Sequence, residues 1–413
     1  MKRENVAALY LYEDSAARAF EPFSLTRPVC ELMAGAEIIR ERWQRITGTI
    51  AAGFIGAAHL AHFDEPGAPR WLTGDEEIPA GSVIANSRFV PSLGVAASGQ
   101  RGFADEATEL IGGDAVCAVR TKIAMKASGV SDTLFGAGRS GGSRGSTISG
   151  RWLGDVWDLI GQLGDQLAED IPHIASGISA GQTEDASVIG TFPVYCETGA
   201  RVEPFVVLDA TAGPILIRGG ATISSFSRIV GPCYIGPSAT VMGDAVRACS
   251  IGELCKVRGE ISNSVMLGHS NKGHTGFVGH SYVGRWVNLG AGTTTSNLKN
   301  TYGNVQLWTP DGVRDTGLQF LGTMFGDHVK TGIGTMLTTG TVLGAGANVY
   351  GASTVPKYVA PFAWGSAEPY RLYEIEKFIA VARRMMERRH VELTERGRKH
   401  LATAHAVAGE RRT

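Results

Sequence analysis

The sequence lacks the features by which secreted, membrane-spanning and nucleic-acid-binding proteins are usually identified. Its six cysteines form no C-x-x-C pair, which predicts buried thiols of a cytoplasmic protein and no disulfide framework. No apolar run reaches the roughly 18 residues of a membrane-spanning helix, and the run at residues 6 to 12 is too short for a signal peptide. The net charge of -1 attracts neither nucleic acid nor an anionic membrane. Any anionic ligand must therefore be held by local charges.

Glycine, in contrast, is abundant, at 55 of 413 residues, against a usual share of about 7%. It accompanies apolar residues spaced six apart, a period that neither a helix nor a single long strand produces. A hexapeptide repeat produces it, because each hexad forms a short strand and a turn. We therefore predict a parallel β-helix of roughly nine coils over residues 186 to 357, left-handed as is usual for this repeat type. The apolar positions fall in three registers: Ile217, Ile223, Ile229, Ile235 and Val241; Phe277, Val283 and Leu289; and Leu337, Leu343, Val349 and Val355.

The period of six fails in two places, between Val257 and Phe277 and between Leu289 and Leu337. Long excursions from a repeat scaffold tend to carry function. The stretch from 270 to 297, which holds two histidines and three asparagines, lies between these breaks. We expect regular coils to hold this stretch rigid and neighbouring loops to cover it.

The N-terminal part of the chain predicts an α/β domain over residues 1 to 180. Buried strands are predicted at 6 to 12, 82 to 86 and 116 to 120, and an amphipathic helix at 28 to 45. Strands that alternate with helices are typical of this fold class.

The C-terminal segment, residues 368 to 413, predicts a helix whose apolar face carries Leu372, Ile375, Ile379 and Met386. It contains 11 basic and 7 acidic residues. This composition favours a solvated helix packed on its neighbour over a nucleic-acid-binding segment. A role beside ligand phosphates stays open.

Three histidines, His269, His274 and His280, lie within twelve residues. One interpretation is that they only form hydrogen bonds, and a second is a zinc site, since the first interval resembles that of hexapeptide-repeat carbonic anhydrases. Such a site also needs a histidine on an earlier coil, and none occurs between His173 and His269, so we predict no metal. The third interpretation is a general base, because a histidine can accept a proton near neutral pH.

Other polar side chains in this stretch suit a phosphorylated sugar. Asn288 and Asn297 offer amide groups to sugar hydroxyls, and Lys272 offers a charge to a phosphate.

The segment KGHTGFVGHSYVGRWVNLGAGTTTSN, residues 272 to 297, resembles the acetyltransferase half of the bifunctional UDP-N-acetylglucosamine pyrophosphorylase and glucosamine-1-phosphate N-acetyltransferase family. The whole chain more closely resembles a divergent bacterial branch described as sugar nucleotidyltransferases, through LTRPVCEL at 25 to 32, NLKNTYG at 297 to 303 and DTGLQFLG at 315 to 322. The resemblance implies these roles: His274 as catalytic base, Asn288 and Asn297 as sugar ligands, Glu260 as a substrate-site carboxylate, and Ala291 as the residue whose backbone meets acetyl-CoA.

The resemblance further implies an acetyl-CoA-dependent N-acetyltransferase acting on an amino-sugar 1-phosphate, with glucosamine 1-phosphate as the favoured substrate. It implies a homotrimer with coenzyme A between adjacent β-helices, and a nucleotidyltransferase domain that binds UTP and Mg²⁺. Two alternatives remain open: a metal-dependent hexapeptide-repeat lyase similar to carbonic anhydrase, and a non-catalytic trimeric scaffold.

The chain departs from the family pattern at several positions. Phe277 and Leu298 stand where tyrosines are usual, which leaves the identity of the sugar open. The loop after the first strand has no glycine, and Ser87-Arg88 replaces the usual Gly-Asp. We therefore predict weak or absent uridylyl transfer. Arg27, before Pro28, resembles the family's basic residue beside the active site, and we expect it to contact phosphates.

Overall fold

In the computed structural model, which describes residues 7–94, 107–136, 145–183, 185–352 and 354–411, the N-terminal domain is built on one mixed sheet. The first strand, Leu9–Tyr12, lies in the interior of this sheet, parallel to both neighbours. Its Leu9 and Leu11 face one hydrophobic cluster and its Tyr10 and Tyr12 the other, as expected for a strand buried on both faces. In spatial order the seven strands are Gly145–Thr147, Glu109–Gly112, Ala115–Arg120, Val83–Asn86, Leu9–Tyr12, Ala51–Ile55 and Arg70–Trp71.

Helices cover this sheet, and the longest in the domain are Ile39–Thr47 and Leu163–Ala175. Shorter helices run over Ser15–Arg18 and Asp158–Gly161. Among the described residues of the domain there are also three small two-stranded sheets: Met33–Ala34 with Glu37–Ile38, Glu77–Ile78 with Met125–Lys126, and Phe89–Pro91 with Gly150–Trp152.

The helix predicted over residues 28 to 45 is wrong in its first half. A short 3-10 turn, Val29–Glu31, leads into a hairpin, and the α-helix begins only at Ile39. Gly35 lies in the hairpin turn with φ +62°, a conformation that glycine adopts without strain. A side chain at this position would also collide with the Asp170 carboxylate. The apolar spacing resembled a helix because the hairpin residues are buried in the same core.

The β-helix has three faces, and the hexad residues from Ile217 to Val241 fill its interior. Face one contains Ser187–Gly190, Val207–Ala210, Ser227–Val230, Asp244–Arg247, Glu260–Ser262 and Phe277–Gly279, followed by Thr294–Thr295, Met336–Leu337 and Thr354–Val355. Face two contains Val194–Cys196, Ile215–Ile217, Cys233–Ile235, Ser250–Ile251, Val265–Gly268, Tyr282–Arg285, Thr323–Phe325, Thr341–Leu343 and Tyr358–Val359. Face three contains Arg201–Val202, Thr222–Ile223, Thr240–Val241, Lys256–Val257, Asn271–Lys272, Asn288–Leu289, Lys330–Thr331, Asn348–Val349 and Ala363–Gly365, with Arg371–Leu372 added antiparallel.

Two details of the predicted repeat are corrected. Phe277 does not point inward, because Val278 fills the interior at this coil while Phe277 pairs beside Glu260 on the outer side. The predicted break before Phe277 is not an excursion either. Lys256 pairs with Asn271 and Val257 with Lys272, so the coil is shorter than its neighbours but continuous.

The second predicted break is a true excursion. After Thr295 the chain leaves the β-helix, forms the hairpin Gln306–Thr309 with Gly312–Asp315, and returns at Thr323. Arg314 of this hairpin pairs with Asp155 of the N-terminal domain. The excursion therefore reaches the N-terminal domain, and His274 stays exposed.

The N-terminal domain covers face two. Apolar side chains that point outward from this face, including Leu216, Tyr234 and Met324, join the core of the N-terminal domain. The Tyr282 hydroxyl accepts a hydrogen bond from the Met33 amide at 2.9 Å. The coils that carry these residues are therefore buried on face two.

The predicted C-terminal helix consists of two helices, Ile375–Glu387 and Glu395–Glu410. Phe378, Ile379 and Ala382 pack with Phe362 at the end of the β-helix, whereas Leu372 lies in the preceding strand and is partly exposed. No helix among residues 7–94, 107–136, 145–183, 185–352 and 354–411 has the length and apolar character needed to span a membrane.

The predicted fold class is confirmed: an α/β domain, a parallel β-helix of hexapeptide type and a helical C-terminus. All six cysteines are buried and free. The division into 1–180, 186–357 and 368–413 remains our proposal for the domains.

Candidate active site

His274 lies in the turn 273–276, at the corner between faces three and one. The turn joins strand Asn271–Lys272 to strand Phe277–Gly279, and the imidazole is exposed. Gly276 has φ +136°, and a Cβ there would lie 2.3 Å from the Thr293 carbonyl oxygen. Only glycine fits between these stacked corners. The close stacking presents His274 at the surface on a fixed backbone.

Lys272 holds this turn from inside. Its ammonium is buried and donates to the carbonyl oxygens of His274 at 2.6 Å and Thr275 at 2.9 Å. Burial lowers the pKa of Lys272 to about 8. Since the donors of Lys272 are directed at backbone carbonyls, this geometry favours a positioning role over the predicted phosphate contact.

Asn288 and Ala291 lie one coil away from His274. The Asn271 amide donates to Oδ1 of Asn288 at 2.9 Å, which fixes the outward orientation of both side chains on face three. Ala291 belongs to the corner stacked on the turn 273–276, where the Gly292 amide donates to the Thr275 carbonyl at 3.0 Å. The structure thus brings His274, Asn288 and Ala291 together.

A groove of about 620 Å³ runs from His274 and Asn288 to the helix Ile375–Glu387. We call it the basic groove, because cations from the β-helix and from the C-terminal segment line it and none of its described lining residues is acidic. Such a surface favours an anionic ligand. Its cationic residues are Lys256, Lys330, Arg384, Arg388 and Arg389.

Glu260 and Asn297 lie outside the basic groove. Glu260 is exposed on face one, beside Phe277. The Asn297 amide lies 2.8 Å from Nδ1 of His280, whose ring stacks on Phe320. Within one chain these two predicted ligands therefore do not converge with His274 and Asn288.

The other two histidines have protein partners. The His269 ring packs against Trp286, tilted by 38° with ring centroids 4.3 Å apart. Burial, with a contribution from Arg285, lowers the pKa of His269 to about 4. Burial also lowers the pKa of His280 to about 4. In the described part of the chain, no three histidine, cysteine, aspartate or glutamate side chains are placed to share a metal ion.

The N-terminal domain has its own candidate site where Leu9–Tyr12 and Val83–Asn86 end, which we call the strand-end edge. Asp14 caps the helix Ser15–Arg18 by accepting from the Ala17 amide at 2.8 Å. The same carboxylate accepts three hydrogen bonds from Arg88, the shortest 2.6 Å. Arg88 stands where the family has a metal-binding aspartate, and it is already paired with Asp14. This edge does not fit a Mg²⁺–UTP complex.

Arg27 is also fully engaged. Its guanidinium donates to both Glu65 carboxylate oxygens, at 2.6 and 2.8 Å, and its Nε donates to Asp327 of the β-helix at 3.1 Å. Burial alone would lower the pKa of Arg27, but the two carboxylates together raise it. This geometry favours a bond between domains over the predicted phosphate contact.

Sequence reasoning missed Lys330, Arg384 and Arg388 as parts of the site. The basic excess after residue 368 was visible, but helix spacing alone could not show which arginines would face the β-helix. Lys330 was hidden because it follows the long excursion, which obscures its register with Asn288.

Comparison with known proteins agrees with this architecture. Residues 9–179 match a family model described as sugar nucleotidyl transferase. The chain is 28% identical over 165 residues to the bifunctional protein GlmU of Acaryochloris marina. This alignment covers 40% of this chain and 32% of that protein. It is 33% identical over 100 residues to the bifunctional sugar-1-phosphate nucleotidylyltransferase/acetyltransferase of Sulfurisphaera tokodaii. That alignment covers 24% of this chain and 25% of that protein.

The resemblance to this bifunctional family is therefore confirmed, and the relatives are transferases, as expected for this chain. The chain spans about a quarter to a third of the length of these curated relatives. Among solved structures it is similar to an Arabidopsis UDP-N-acetylglucosamine acyltransferase, with 12% identity, a TM-score of 0.23, and coverage of 51% of this chain and 77% of that one.

Proposed function

We propose that the chain transfers the acetyl group of acetyl-CoA to the amine of an amino-sugar 1-phosphate, with glucosamine 1-phosphate as the first substrate to test. The observation that carries this proposal is the position of His274: exposed on a fixed turn, at the rim of a groove that also presents Asn288 and five cations. The similarity to bifunctional nucleotidyltransferase/acetyltransferases supports the same reaction class.

The proposed mechanism is direct. The His274 imidazole removes a proton from the substrate amine while the amine nitrogen attacks the thioester carbonyl carbon. A nitrogen–carbon bond forms, the carbon–sulfur bond breaks, and coenzyme A leaves as the thiol after taking up a proton. Backbone amides of the glycine-rich corners are the proposed oxyanion donors. Asn288 orients a sugar hydroxyl, and no acyl-enzyme forms.

We further propose a homotrimer, because the predicted sugar ligands do not converge within one chain. Glu260 on face one, and Asn297 at the start of the excursion after Thr295, would complete the site next to His274 of a neighbouring subunit. A solution mass equal to one subunit at micromolar concentration would contradict this arrangement.

The test is incubation of the protein with acetyl-CoA and glucosamine 1-phosphate, with and without UTP and Mg²⁺, followed by mass analysis of the products. N-acetylglucosamine 1-phosphate is the expected product in both mixtures. If coenzyme A does not bind and no acetylated sugar forms, the scaffold alternative is favoured. Stoichiometric zinc in the purified protein, together with loss of activity on chelation, would favour the lyase.

A further inference from the structure

A cavity of about 290 Å³ lies where the N-terminal domain, the β-helix and the C-terminal helices meet. We call it the junction cavity. Phe63 of the N-terminal domain, Trp286 of the β-helix and Leu401 of the last helix all contribute to its wall. Its described lining overlaps with that of the basic groove only at His269. The junction cavity is therefore a separate place from the candidate active site.

Two buried histidines, His328 and His400, line the junction cavity, and each is more than nine-tenths buried. Nε2 of His400 lies 2.7 Å from the Thr26 carbonyl oxygen, so this nitrogen carries the proton and Nδ1 is an acceptor. In neither ring does Nδ1 have a hydrogen-bond partner among the described residues. Buried polar atoms nearly always have a partner in folded proteins. The two nitrogens therefore point to a polar ligand, one that donates a hydrogen bond at His400.

The charged side chains of the junction cavity favour a cation. Its described lining contains four carboxylates and one arginine: Asp64, Glu65, Asp327, Glu392 and Arg285. Arg27 pairs with Glu65 and Asp327, whereas Asp64 and Glu392 are exposed at the mouth of the cavity. Burial lowers the pKa of His400 to about 4, so this histidine adds no positive charge near neutral pH. The excess of carboxylates attracts a positively charged ligand and repels an anion.

The rest of the wall is apolar and asks for more than water. Phe63, Trp286, Met386 and Leu401 are buried and line the junction cavity. Since a water molecule takes about 30 Å³ in the liquid, several would fit. Water would satisfy the histidine nitrogens but gain nothing at the apolar wall. A ligand with a ring and a polar head group matches both parts, as is usual for small-molecule sites.

We propose that the junction cavity binds a small organic cation in which a ring carries an amine or amidine head group, at a site independent of the proposed acetyl transfer. The head group donates to Nδ1 of His400, and the ring packs against Phe63 and Trp286. The carboxylates of Asp64 and Glu392 attract the cation to the mouth. A ligand in this position contacts all three parts of the chain and holds the C-terminal helices on the β-helix.

Calorimetric titration of the full chain with three probes tests the ligand class. Benzamidine, benzamide and benzoate share one benzene ring and differ in the head group, which is cationic, neutral and anionic in turn. We expect benzamidine to bind with a Kd of about 1 mM or tighter, as is usual for a ligand of this size. Benzamide should bind about tenfold more weakly, because it offers no charge-assisted hydrogen bond. Benzoate, which has no N–H donor, should not bind.

His400→Phe tests the position of the head group and should raise the Kd for benzamidine about tenfold, as is typical for loss of a hydrogen bond to a charged group. His405→Phe is the matched control. Nε2 of His405 also lies 2.7 Å from a carbonyl oxygen, that of Tyr373, and His405 belongs to the same helix, but it does not line the junction cavity. Its Kd should stay within about twofold of the wild-type value.

Asp64→Asn tests the mouth of the cavity at an exposed position, where the fold does not depend on the charge. The variant should raise the Kd for benzamidine about two- to threefold. Thermal unfolding of each variant verifies that the chain is folded. If His400→Phe does not fold, the comparison of Asp64→Asn with the wild type still decides the matter.

Three results would overturn the assignment. Equal Kd values for the three probes would show binding of an adventitious additive only. A wild-type Kd for benzamidine in the folded variants would place the probe elsewhere. No binding of benzamidine at millimolar concentration would mean that the junction cavity holds ordered water only. None of these measurements uses acetyl-CoA or a sugar phosphate, so their failure leaves the proposed function untouched.

Discussion

The basic groove and the strand-end edge both hold charged side chains, but they use them in opposite ways. At the strand-end edge Arg88 pairs with Asp14, and elsewhere in the N-terminal domain Arg27 pairs with Glu65 and Asp327. In the basic groove the cations line open space, and no described lining residue is acidic. A surface whose charges are already neutralised has little to gain from an anionic ligand, whereas an unneutralised surface does.

Lys330 illustrates the difference. Its ammonium contacts the carbonyl oxygens of Trp286 and His328 at 3.3 Å, and no carboxylate. Burial lowers the pKa of Lys330 to about 8. A ligand phosphate would supply the negative charge that the protein does not. Ligand chemistry is thus expected at the β-helix and a structural role at the strand-end edge, and the predictions below test this contrast.

The largest effect is expected at His274. His274→Ala should lower the rate of acetyl transfer by roughly 10²- to 10⁴-fold, the usual contribution of a general base. The Kd for coenzyme A and the oligomeric state should not change, because the turn 273–276 is held by Lys272 and Gly276 rather than by the imidazole. Steady-state kinetics with saturating acetyl-CoA measure the effect.

His280→Ala is the control for this prediction. His280 lies close to His274 in the sequence, but its ring contacts Asn297 and Phe320 and does not line the groove. We expect a much smaller loss of rate. A His274→Ala variant that retained more than about a tenth of the wild-type rate would rule out the proposed base.

The second largest effect concerns Arg27. Arg27→Met leaves the buried Asp327 carboxylate without its cation and Glu65 with only the longer pair to Arg285. Breaking such a buried pair typically costs about 3–5 kcal/mol of unfolding free energy. Arg45→Met, which breaks a pair with Glu37 at a half-exposed arginine, should cost less than about 1 kcal/mol. Urea unfolding measures both variants. A similar loss for the two would show that the Arg27 pairs do not hold the domains together.

The third prediction concerns pH and Glu13, which is buried at the strand-end edge and accepts from the Val29 amide at 2.7 Å. Burial raises its pKa to about 7. Because the folded state holds this proton more tightly than the unfolded state, the stabilisation is complete below about pH 4.5 and is lost as the pH rises through 7. Over this window the free energy of unfolding should fall by about 3 kcal/mol through Glu13.

Glu13→Gln removes that dependence. Relative to the wild type, the variant should gain stability steadily between about pH 4.5 and 7, whereas Glu77→Gln, at an exposed position, should not. Urea unfolding at several pH values tests this difference. If the free energy of unfolding changes with pH in the same way for wild type and Glu13→Gln, then Glu13 is ionised at no cost in the folded chain.

The sequence predicted the β-helix well because each coil repeats the same local requirement, one inward aliphatic residue with small residues at the corners. It failed at Phe277, where one shortened coil shifts the inward position to Val278. It failed again at residues 28 to 45, since the hairpin places Met33, Ala34 and Ala36 in the same core as the helix that follows. Local pattern cannot distinguish these cases, because burial is decided by neighbours distant in sequence.

The same reason decides which parts of the candidate site could be predicted from the sequence. His274, Asn288 and Ala291 could be placed together because they lie on adjacent coils of one repeat. The engagement of Arg27 by Asp327, 300 positions along the chain, could not be predicted from the surroundings of either residue. Neither could the approach of Arg384 to Asn288 and Lys330 of face three, which depends on how the C-terminal helix packs.

The smallest expected effect is that of UTP on the N-terminal domain. Coenzyme A at about 100 times its Kd stabilises the folded chain by about 2.7 kcal/mol, which should raise the midpoint of thermal unfolding by several degrees. UTP with Mg²⁺ should shift this midpoint by less than about 1 °C, because Arg88 already neutralises Asp14 where the metal would bind. The matched measurement uses Arg88→Asp, which restores a carboxylate after strand Val83–Asn86. If the wild-type chain is stabilised by UTP and Mg²⁺ as strongly as by coenzyme A, and releases pyrophosphate from UTP and N-acetylglucosamine 1-phosphate, then the Arg88–Asp14 pair opens for the nucleotide. The contrast between the two regions would then reflect the ligand-free state alone.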